Sequence, residues 1–251
     1  MLLRAQTLAC IRADRLLFSG LTFASETGRA IALTGPNGVG KSSLLRLIAG
    51  LLPVHAGTVE LVDKRSAVVV AGTGSEMPLG QYCHYLGHRD ALKPSMSVIE
   101  TLLFWSSFLS KLPSSFQEQA QTQPLRASAT AAPTSESHHA ESSSLAAMPA
   151  LAALEQVGLA HLADLPCQLL SAGQRRRLTL ARLLVVARPL WLLDEPTTAL
   201  DSAGQDILWQ LCARHLDAGG VIVVATHAPL PIPNTVIALD RGLSCAAGWP
   251  C

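Results

Sequence analysis

The fold is decided by the stretch Gly35-Pro-Asn-Gly-Val-Gly-Lys-Ser42, which fits the spacing G-x-x-x-x-G-K-[ST]. Before it, the short apolar run Arg29-Ala-Ile-Ala-Leu-Thr34 predicts a buried strand, and after it the residues from Ser42 to Gly50 predict a helix. Glycines allow positive φ and close backbone approach, so successive N–H groups can point at one anion, and the helix N-terminus adds about half a positive charge. A strand, a glycine loop and a helix in this order predict a phosphate-binding site in an α/β domain.

The side chains of this loop fit a magnesium-bound nucleoside triphosphate. Lys41 would bring a full positive charge to the β- and γ-phosphates, and the Ser42 hydroxyl would be a Mg²⁺ ligand. The residues expected to contact the nucleotide here are Gly35, Pro36, Asn37, Gly38, Val39, Gly40, Lys41, Ser42 and Ser43.

Two further predicted strands end in side chains suited to hydrolysis. The run Leu190-Trp-Leu-Leu193 is followed at once by Asp194 and Glu195. Asp194 is expected to hold Mg²⁺ through water, and Glu195 to act as the general base for the attacking water. His227 follows the β-rich run that begins at Val221. It is expected to face the γ-phosphate, because reactive groups gather at the carboxyl ends of parallel strands.

A second anion site is predicted where Leu170-Ser-Ala-Gly-Gln174 opens a helix expected over Arg175 to Ala187. Ser171 can cap that helix, and the N–H groups of its first turn can bind an anion. If these residues cannot fold back onto the same nucleotide, they must serve a neighbouring copy of the chain. This reasoning favours a head-to-tail homodimer with the nucleotide at the interface.

Length and composition limit the class of protein. The chain has 251 residues, 19 Lys plus Arg against 18 Asp plus Glu, and 49% hydrophobic residues. The balanced charge argues against a nucleic acid partner, and no uninterrupted apolar run reaches the roughly 18 residues that a membrane span needs. No signal peptide is predicted. The six cysteines form no C-x-x-C, so neither a disulfide framework nor a zinc site is expected.

The chain organisation is that of one domain with an insertion. Alternating strand and helix patterns predict an α/β fold with a largely parallel sheet, in a single domain over residues 1–251. A helical subdomain is expected at about residues 89–180, where Ser97-Val-Ile-Glu100 matches a capping box. Residues 112–150 are mostly Ser, Ala, Gln, Thr and Pro with hardly any large apolar side chain. They are interpreted as a disordered insertion, because they cannot bury enough surface to offset the entropy of ordering.

Together these motifs resemble the ATP-binding cassette (ABC) ATPases. The sequence carries a Walker A loop (35–42), a signature (170–174), a Walker B strand (190–194) followed by a glutamate, a D-loop and a switch histidine. The resemblance implies a P-loop NTPase core with an N-terminal antiparallel β subdomain, an inserted helical subdomain and coupling to membrane subunits. It also implies two ATP molecules with Mg²⁺ sandwiched in a homodimer. The signature and D-loop residues implied to contact them are Ser171, Ala172, Gly173, Gln174 and Asp201.

Within that family, the segment Leu86-Gly-His-x-x-x-Leu-Lys93 and the sequences of the signature and Walker B motifs closely resemble those of the ATP-binding subunit of bacterial cytochrome c biogenesis, a haem export system. The resemblance implies ATP hydrolysis that releases a haem-loaded chaperone. It also implies peripheral attachment to the cytoplasmic face of the inner membrane, with the membrane subunits CcmB and CcmC as partners. Direct haem binding is not expected, since no C-x-x-C-H occurs and the pair His138-His139 lies in the insertion.

Two positions depart from the family pattern. Arg12 stands where many of these ATPases stack adenine on an aromatic residue, and a guanidinium plane can also stack on a base. His88 stands where the family usually has a glutamine that contacts Mg²⁺ and the lytic water. Because imidazole ligates Mg²⁺ poorly compared with oxygen, His88 is expected to sense nucleotide state or to position water.

Three alternative functions remain open on the residues. One is the ATPase of another ABC transporter with an unrelated substrate. A second is a soluble ABC ATPase that acts on nucleic acid, which the near-zero net charge and the single cassette disfavour. A small-molecule P-loop kinase is disfavoured because it leaves residues 170–174 without a role.

Overall fold

The computed structural model describes residues 1–26, 28–63, 69–73, 78–110 and 141–240. In these ranges the strands are β1 (Leu2–Arg12), β2 (Arg15–Ala24), β3 (Ala30–Thr34), β4 (Ala56–Val62), β5 (Val69–Gly72), β6 (Cys83–Leu86), β7 (Leu190–Asp194), β8 (Val221–Ala225) and β9 (Asn234–Ala238). The α-helices there are α1 (Lys41–Ile48), α2 (Val98–Leu109), α3 (Glu141–Gln156), α4 (Ala172–Ala181) and α5 (Ser202–Asp217). No helix among the described residues is both long and apolar enough to cross a bilayer.

A parallel sheet with the strand order β6-β7-β8-β3-β9 positions the site. Strands β7 and β8 are buried along their whole length, as apolar strands covered on both faces should be. Asp194 and Leu33 both pair with Ala225, so the carboxyl ends of β3, β7 and β8 lie side by side. This architecture confirms the predicted α/β P-loop fold.

A second, antiparallel sheet with the order β2-β1-β4-β5 forms the N-terminal β subdomain that the resemblance implies. Strands β1 and β2 are joined by a two-residue turn in which Ala13 and Asp14 have φ of 48° and 58°. Positive φ at both turn residues is the geometry whose twist matches that of the two strands it connects.

The chain divides into two compact units, one of residues 1–90 and 188–251 and one of residues 91–187. The second unit holds α2, α3 and α4. Helix α2 begins at a capping box in which Ser97 accepts from the Glu100 N–H and the Glu100 carboxylate accepts from the Ser97 N–H. Much of the proposed insertion, residues 112–140, lies outside the described residues.

Two helix boundaries differ from the sequence-based expectation. Helix α3 begins at Glu141, inside the segment 112–150 that composition assigned to disorder, because Ala and Leu favour helix even where large apolar side chains are scarce. Helix α4 ends at Ala181 and turns follow it, whereas the prediction ran to Ala187. The β-branched pair Val185 and Val186, followed closely by a proline, disfavours a longer helix.

Candidate nucleotide site

The glycine loop lies between the end of β3 and the start of α1. Gly35 has φ of 132°, and a Cβ added there would collide with the carbonyl oxygen of Leu239. Gly40 is the N-cap of α1 with φ of 117°, and a Cβ there would lie 3.3 Å from Cδ1 of Phe18. Both positions therefore require glycine. The bare backbone of the loop and the first amides of α1 therefore leave room for an anion such as a phosphate to approach.

The Lys41 ammonium lies against this loop and is largely buried. Its Nζ donates to the carbonyl oxygens of Gly35 at 2.7 Å and of Pro36 at 3.3 Å. The same Nζ lies 3.2 Å from Nε2 of His227, which follows β8. The sheet thus brings the lysine and the histidine to the same edge. Of the other residues expected to contact the nucleotide, Pro36, Asn37 and Gly38 are exposed, and Val39 and Ser43 are buried.

Ser42 and Asp194 meet beside the lysine. The Ser42 hydroxyl donates to Oδ1 of Asp194 at 2.9 Å, and Asp194 is only 3% exposed. A hydroxyl and a carboxylate are the hard oxygen donors that Mg²⁺ prefers, and such sites usually keep several waters and use one or two carboxylates. The donor set therefore fits Mg²⁺ next to a triphosphate.

Glu195 and His227 lie next to each other, directly after β7 and soon after β8. Glu195 has φ of 48°, in the left-handed region, and its N–H donates to the carbonyl oxygen of Ala225 at 2.9 Å. Its Oε1 lies 3.4 Å from Nε2 of His227. Non-glycine residues in this backbone region are uncommon and often lie at functional sites, so the conformation of Glu195 agrees with the role predicted for it.

Tyr85 and Arg46 also belong to the site, although no motif in the sequence identified them. The Tyr85 hydroxyl accepts from Nε of Arg46 at 3.2 Å and donates to Oδ2 of Asp194 at 3.4 Å. Burial raises the pKa of Tyr85, so its hydroxyl keeps its proton. The hydrogen bond to Tyr85 raises the pKa of Arg46. Helical spacing was the available signal, because Arg46 lies one turn beyond Ser42 and shares its side of α1.

His88 and Arg12 are both exposed. His88 follows the end of β6, the edge strand that is parallel to β7. It therefore lies near the same carboxyl-terminal edge of the sheet as the end of β7. Arg12 is the last residue of β1 and is paired with Arg15 across the hairpin. Strand β2 passes the glycine loop, since Leu17 and Phe18 are the nearest neighbours of Gly40.

The signature residues belong to the second compact unit and cap α4. Ser171 is the N-cap, and its hydroxyl accepts from the Gln174 N–H at 3.2 Å while the Gln174 side chain accepts from the Ser171 N–H at 2.8 Å. The N–H groups of Ala172 and Gly173 lie between the two residues of this capping box, in the first turn of α4. A helix N-terminus with two small residues leaves room for an anion to approach the backbone.

Asp201 has a structural role that its motif did not indicate. It is the N-cap of α5, and its Oδ1 accepts from the Gly204 N–H at 2.9 Å. Ala199, in the same loop, has φ of 65°. The loop after β7 therefore has a second left-handed residue beyond Glu195, and it ends in a capped helix.

Comparison with known proteins gives the family context of this geometry. A family model described as ABC transporter matches residues 18–198. A cytochrome c biogenesis ATP-binding export protein CcmA from Rhodopseudomonas palustris is 46% identical over 92% of this chain and 94% of its own length. The CcmA protein of Nitrobacter hamburgensis is 47% identical over 92% of this chain and 95% of its own length.

Solved structures agree on the fold. An ABC transporter ATP-binding protein of Pyrococcus furiosus superposes with a TM-score of 0.66 at 19% identity, covering 95% of this chain and 98% of that one. A dimeric ATP-binding cassette bound to ADP and Pi superposes with a TM-score of 0.68 at 20% identity, covering 96% of this chain and 95% of that one. At these identities the likeness concerns the fold.

Proposed function

Since the chain belongs to the ABC transporter family and matches CcmA proteins along most of its length, we propose that it is the ATPase subunit of a cytochrome c biogenesis complex. The chain is an ABC-type ATPase that binds ATP. Its proposed task is to couple ATP hydrolysis to haem export and the release of a haem-loaded chaperone. The observation that carries this proposal is the identity of 46% over 92% of the chain to such a protein.

The proposed chemistry assigns one task to each side chain of the site. The backbone N–H groups of residues 35–43, except that of Pro36, which has none, and the Lys41 ammonium bind the β- and γ-phosphates. Ser42 and Asp194 would hold Mg²⁺, which neutralises charge on the phosphate oxygens. Glu195 accepts the proton of the attacking water as general base, and the contact with His227 fixes its direction.

The proposed active form is a homodimer with ATP between subunits. The amide groups of Ala172 and Gly173, between the capping residues Ser171 and Gln174, would face the γ-phosphate held by the other subunit. A solved cassette with the same fold is dimeric in a post-hydrolysis state, which supports this arrangement. Asp201 would hold the loop between β7 and α5 in place through its cap, and Arg12 and His88 would approach the adenine and the lytic water.

The proposed partners are membrane subunits of the CcmB and CcmC type. The chain would attach peripherally to them at the cytoplasmic face of the bacterial inner membrane. The similarity to CcmA relatives, which are cytochrome c biogenesis ATP-binding export proteins, supports this location.

Complementation tests this function. A bacterium that lacks its own CcmA and expresses this chain should recover c-type cytochromes, measured by haem staining of separated membrane proteins. The Glu195→Gln variant, produced at the same level, should fail to restore them. An absence of c-type cytochromes with the wild-type chain bound to the membrane would contradict the cytochrome role, while the ATPase activity of the purified chain would be unaffected by that result.

A further inference from the structure

Each oxygen of the Asp194 carboxylate accepts a hydrogen bond from a hydroxyl group, one on α1 and one on β6. Oδ1 accepts directly from the Ser42 hydroxyl, and Oδ2 faces the Tyr85 hydroxyl, which in turn accepts from Arg46. Ser42 and Arg46 are one helical turn apart and share a face of α1. That face therefore contacts one carboxylate oxygen directly and the other through the Tyr85 hydroxyl.

The sheet register places Tyr85 for this task. In the pairing of β6 with β7, Tyr85 lies opposite Leu192, and side chains two residues apart on a strand share a face. Tyr85 and Asp194 are therefore on the face of the sheet that α1 covers. The Tyr85 hydroxyl is the bridge between the helix and the strand end.

We propose that Tyr85 and Arg46 are positioning residues that orient Asp194 for Mg²⁺, an inference that rests on the metal role proposed for Asp194. A carboxylate that binds Mg²⁺ must present its lone pairs in a fixed direction, because Mg²⁺ demands near-octahedral geometry. Groups that hydrogen-bond to metal ligands typically change metal affinity by about 10- to 100-fold when they are removed. The Tyr85 to Asp194 distance of 3.4 Å is long for a hydroxyl donor, so we expect the low end of that range.

The test measures binding of a non-hydrolysable ATP analogue, adenylyl imidodiphosphate, to the full chain by calorimetry, with Mg²⁺ and with EDTA. The ratio of the two affinities is the magnesium-dependent gain. Tyr85→Phe and Arg46→Met should each lower this gain about 10-fold while leaving the affinity in EDTA unchanged. The double variant should lose little more than Tyr85→Phe alone, because the hydrogen bond of Arg46 reaches Asp194 through the tyrosine hydroxyl and only the guanidinium charge acts on the carboxylate directly.

The matched control is Tyr82→Phe, which also removes a tyrosine hydroxyl, but at the amino-terminal end of the β6–β7 pair. The Tyr82 carbonyl accepts from the N–H of Leu190, the residue at the far end of β7 from Asp194. Tyr82→Phe should keep the magnesium-dependent gain of the wild type.

Asp194→Asn separates the two proposals. Loss of the gain in Asp194→Asn but not in Tyr85→Phe would overturn the positioning role alone. A full gain in Asp194→Asn would overturn the metal role of Asp194 and with it this inference. A fall in affinity that is equal with Mg²⁺ and with EDTA in Tyr85→Phe would also overturn the positioning role, because it would reflect a disturbed fold rather than a misdirected carboxylate.

Discussion

Nζ of Lys41 lies 3.2 Å from Nε2 of His227. The phosphate loop and the end of β8 are separated by most of the chain in sequence, yet the order of the parallel strands makes them neighbours. Because the same imidazole nitrogen lies 3.4 Å from the Glu195 carboxylate, the lysine, the histidine and the proposed base form one continuous row.

Lys41→Ala should weaken ATP binding by about 10- to 100-fold, because a hydrogen bond from a charged group contributes about 1.5–3 kcal/mol. Calorimetric titration of the purified chain with Mg·ATP measures the change. Lys93→Ala removes an exposed lysine in the second unit and should bind as the wild type does. Equal affinity in Lys41→Ala and the wild type would remove the lysine from the proposed phosphate contacts.

Glu195→Gln should slow ATP hydrolysis by about 100- to 10,000-fold, because an amide cannot accept the proton of the attacking water. The variant should also accumulate as an ATP-bound dimer, visible by size-exclusion chromatography with light scattering. Glu155→Gln, an exposed position on α3, is the charge-matched control and should hydrolyse ATP normally. Undiminished turnover in Glu195→Gln would contradict the assignment of the base.

His215 should make the fold sensitive to acid. Its ring stacks on Trp191 with 4.0 Å between centroids, and burial lowers its pKa to about 4. The folded state therefore favours the neutral ring, whose ordinary pKa is about 6.5. The contribution to stability is complete above pH 6.5 and is lost as the pH falls from there toward 4, by about 3 kcal/mol in total.

The measurement for His215 is the free energy of unfolding in urea at a series of pH values between 4 and 7. His215→Gln has no ionisable ring, so its stability should fall less steeply over that interval than the wild-type stability does. His161→Gln removes an exposed histidine and should keep the wild-type slope. Parallel slopes in the wild type and His215→Gln would exclude this ring as the source of acid sensitivity.

Much of the fold and site was predictable because it depends on local patterns. The glycine loop, the buried strands and the positions of Asp194, Glu195 and His227 after strand ends follow from spacing and hydrophobicity in the sequence. The Tyr85–Arg46 pair does not, because it depends on the register between β6 and β7 and on which face α1 covers. The capping role of Asp201 required the three-dimensional course of the loop that precedes α5.

The start of α3 shows the limit of a composition argument. Low apolar content predicts little burial, but it does not decide whether a segment rich in Ala is helical. The part of the insertion that composition described as disordered therefore overlaps a helix from Glu141 onward.

Replacing residues 112–140 with a Gly-Ser linker of equal length should shift the melting temperature by about 2 °C or less, because such sequences supply few core contacts. Extending the replacement through Ala150, which is fully buried, should lower it by several degrees more, because glycine costs about 1 kcal/mol per helical position. Differential scanning calorimetry compares the two variants. Equal melting temperatures for both would contradict a stabilising role for the first half of α3.

The left-handed backbone at Glu195 implies a trade-off between robustness and turnover. A side chain in this region costs about 1–2 kcal/mol that glycine would not. Glu195→Gly should therefore yield a chain that resists heat better than the wild type while hydrolysing almost nothing. Thermal tolerance alone would favour glycine at this position, so a carboxylate here exchanges folding stability for the capacity to take up a proton.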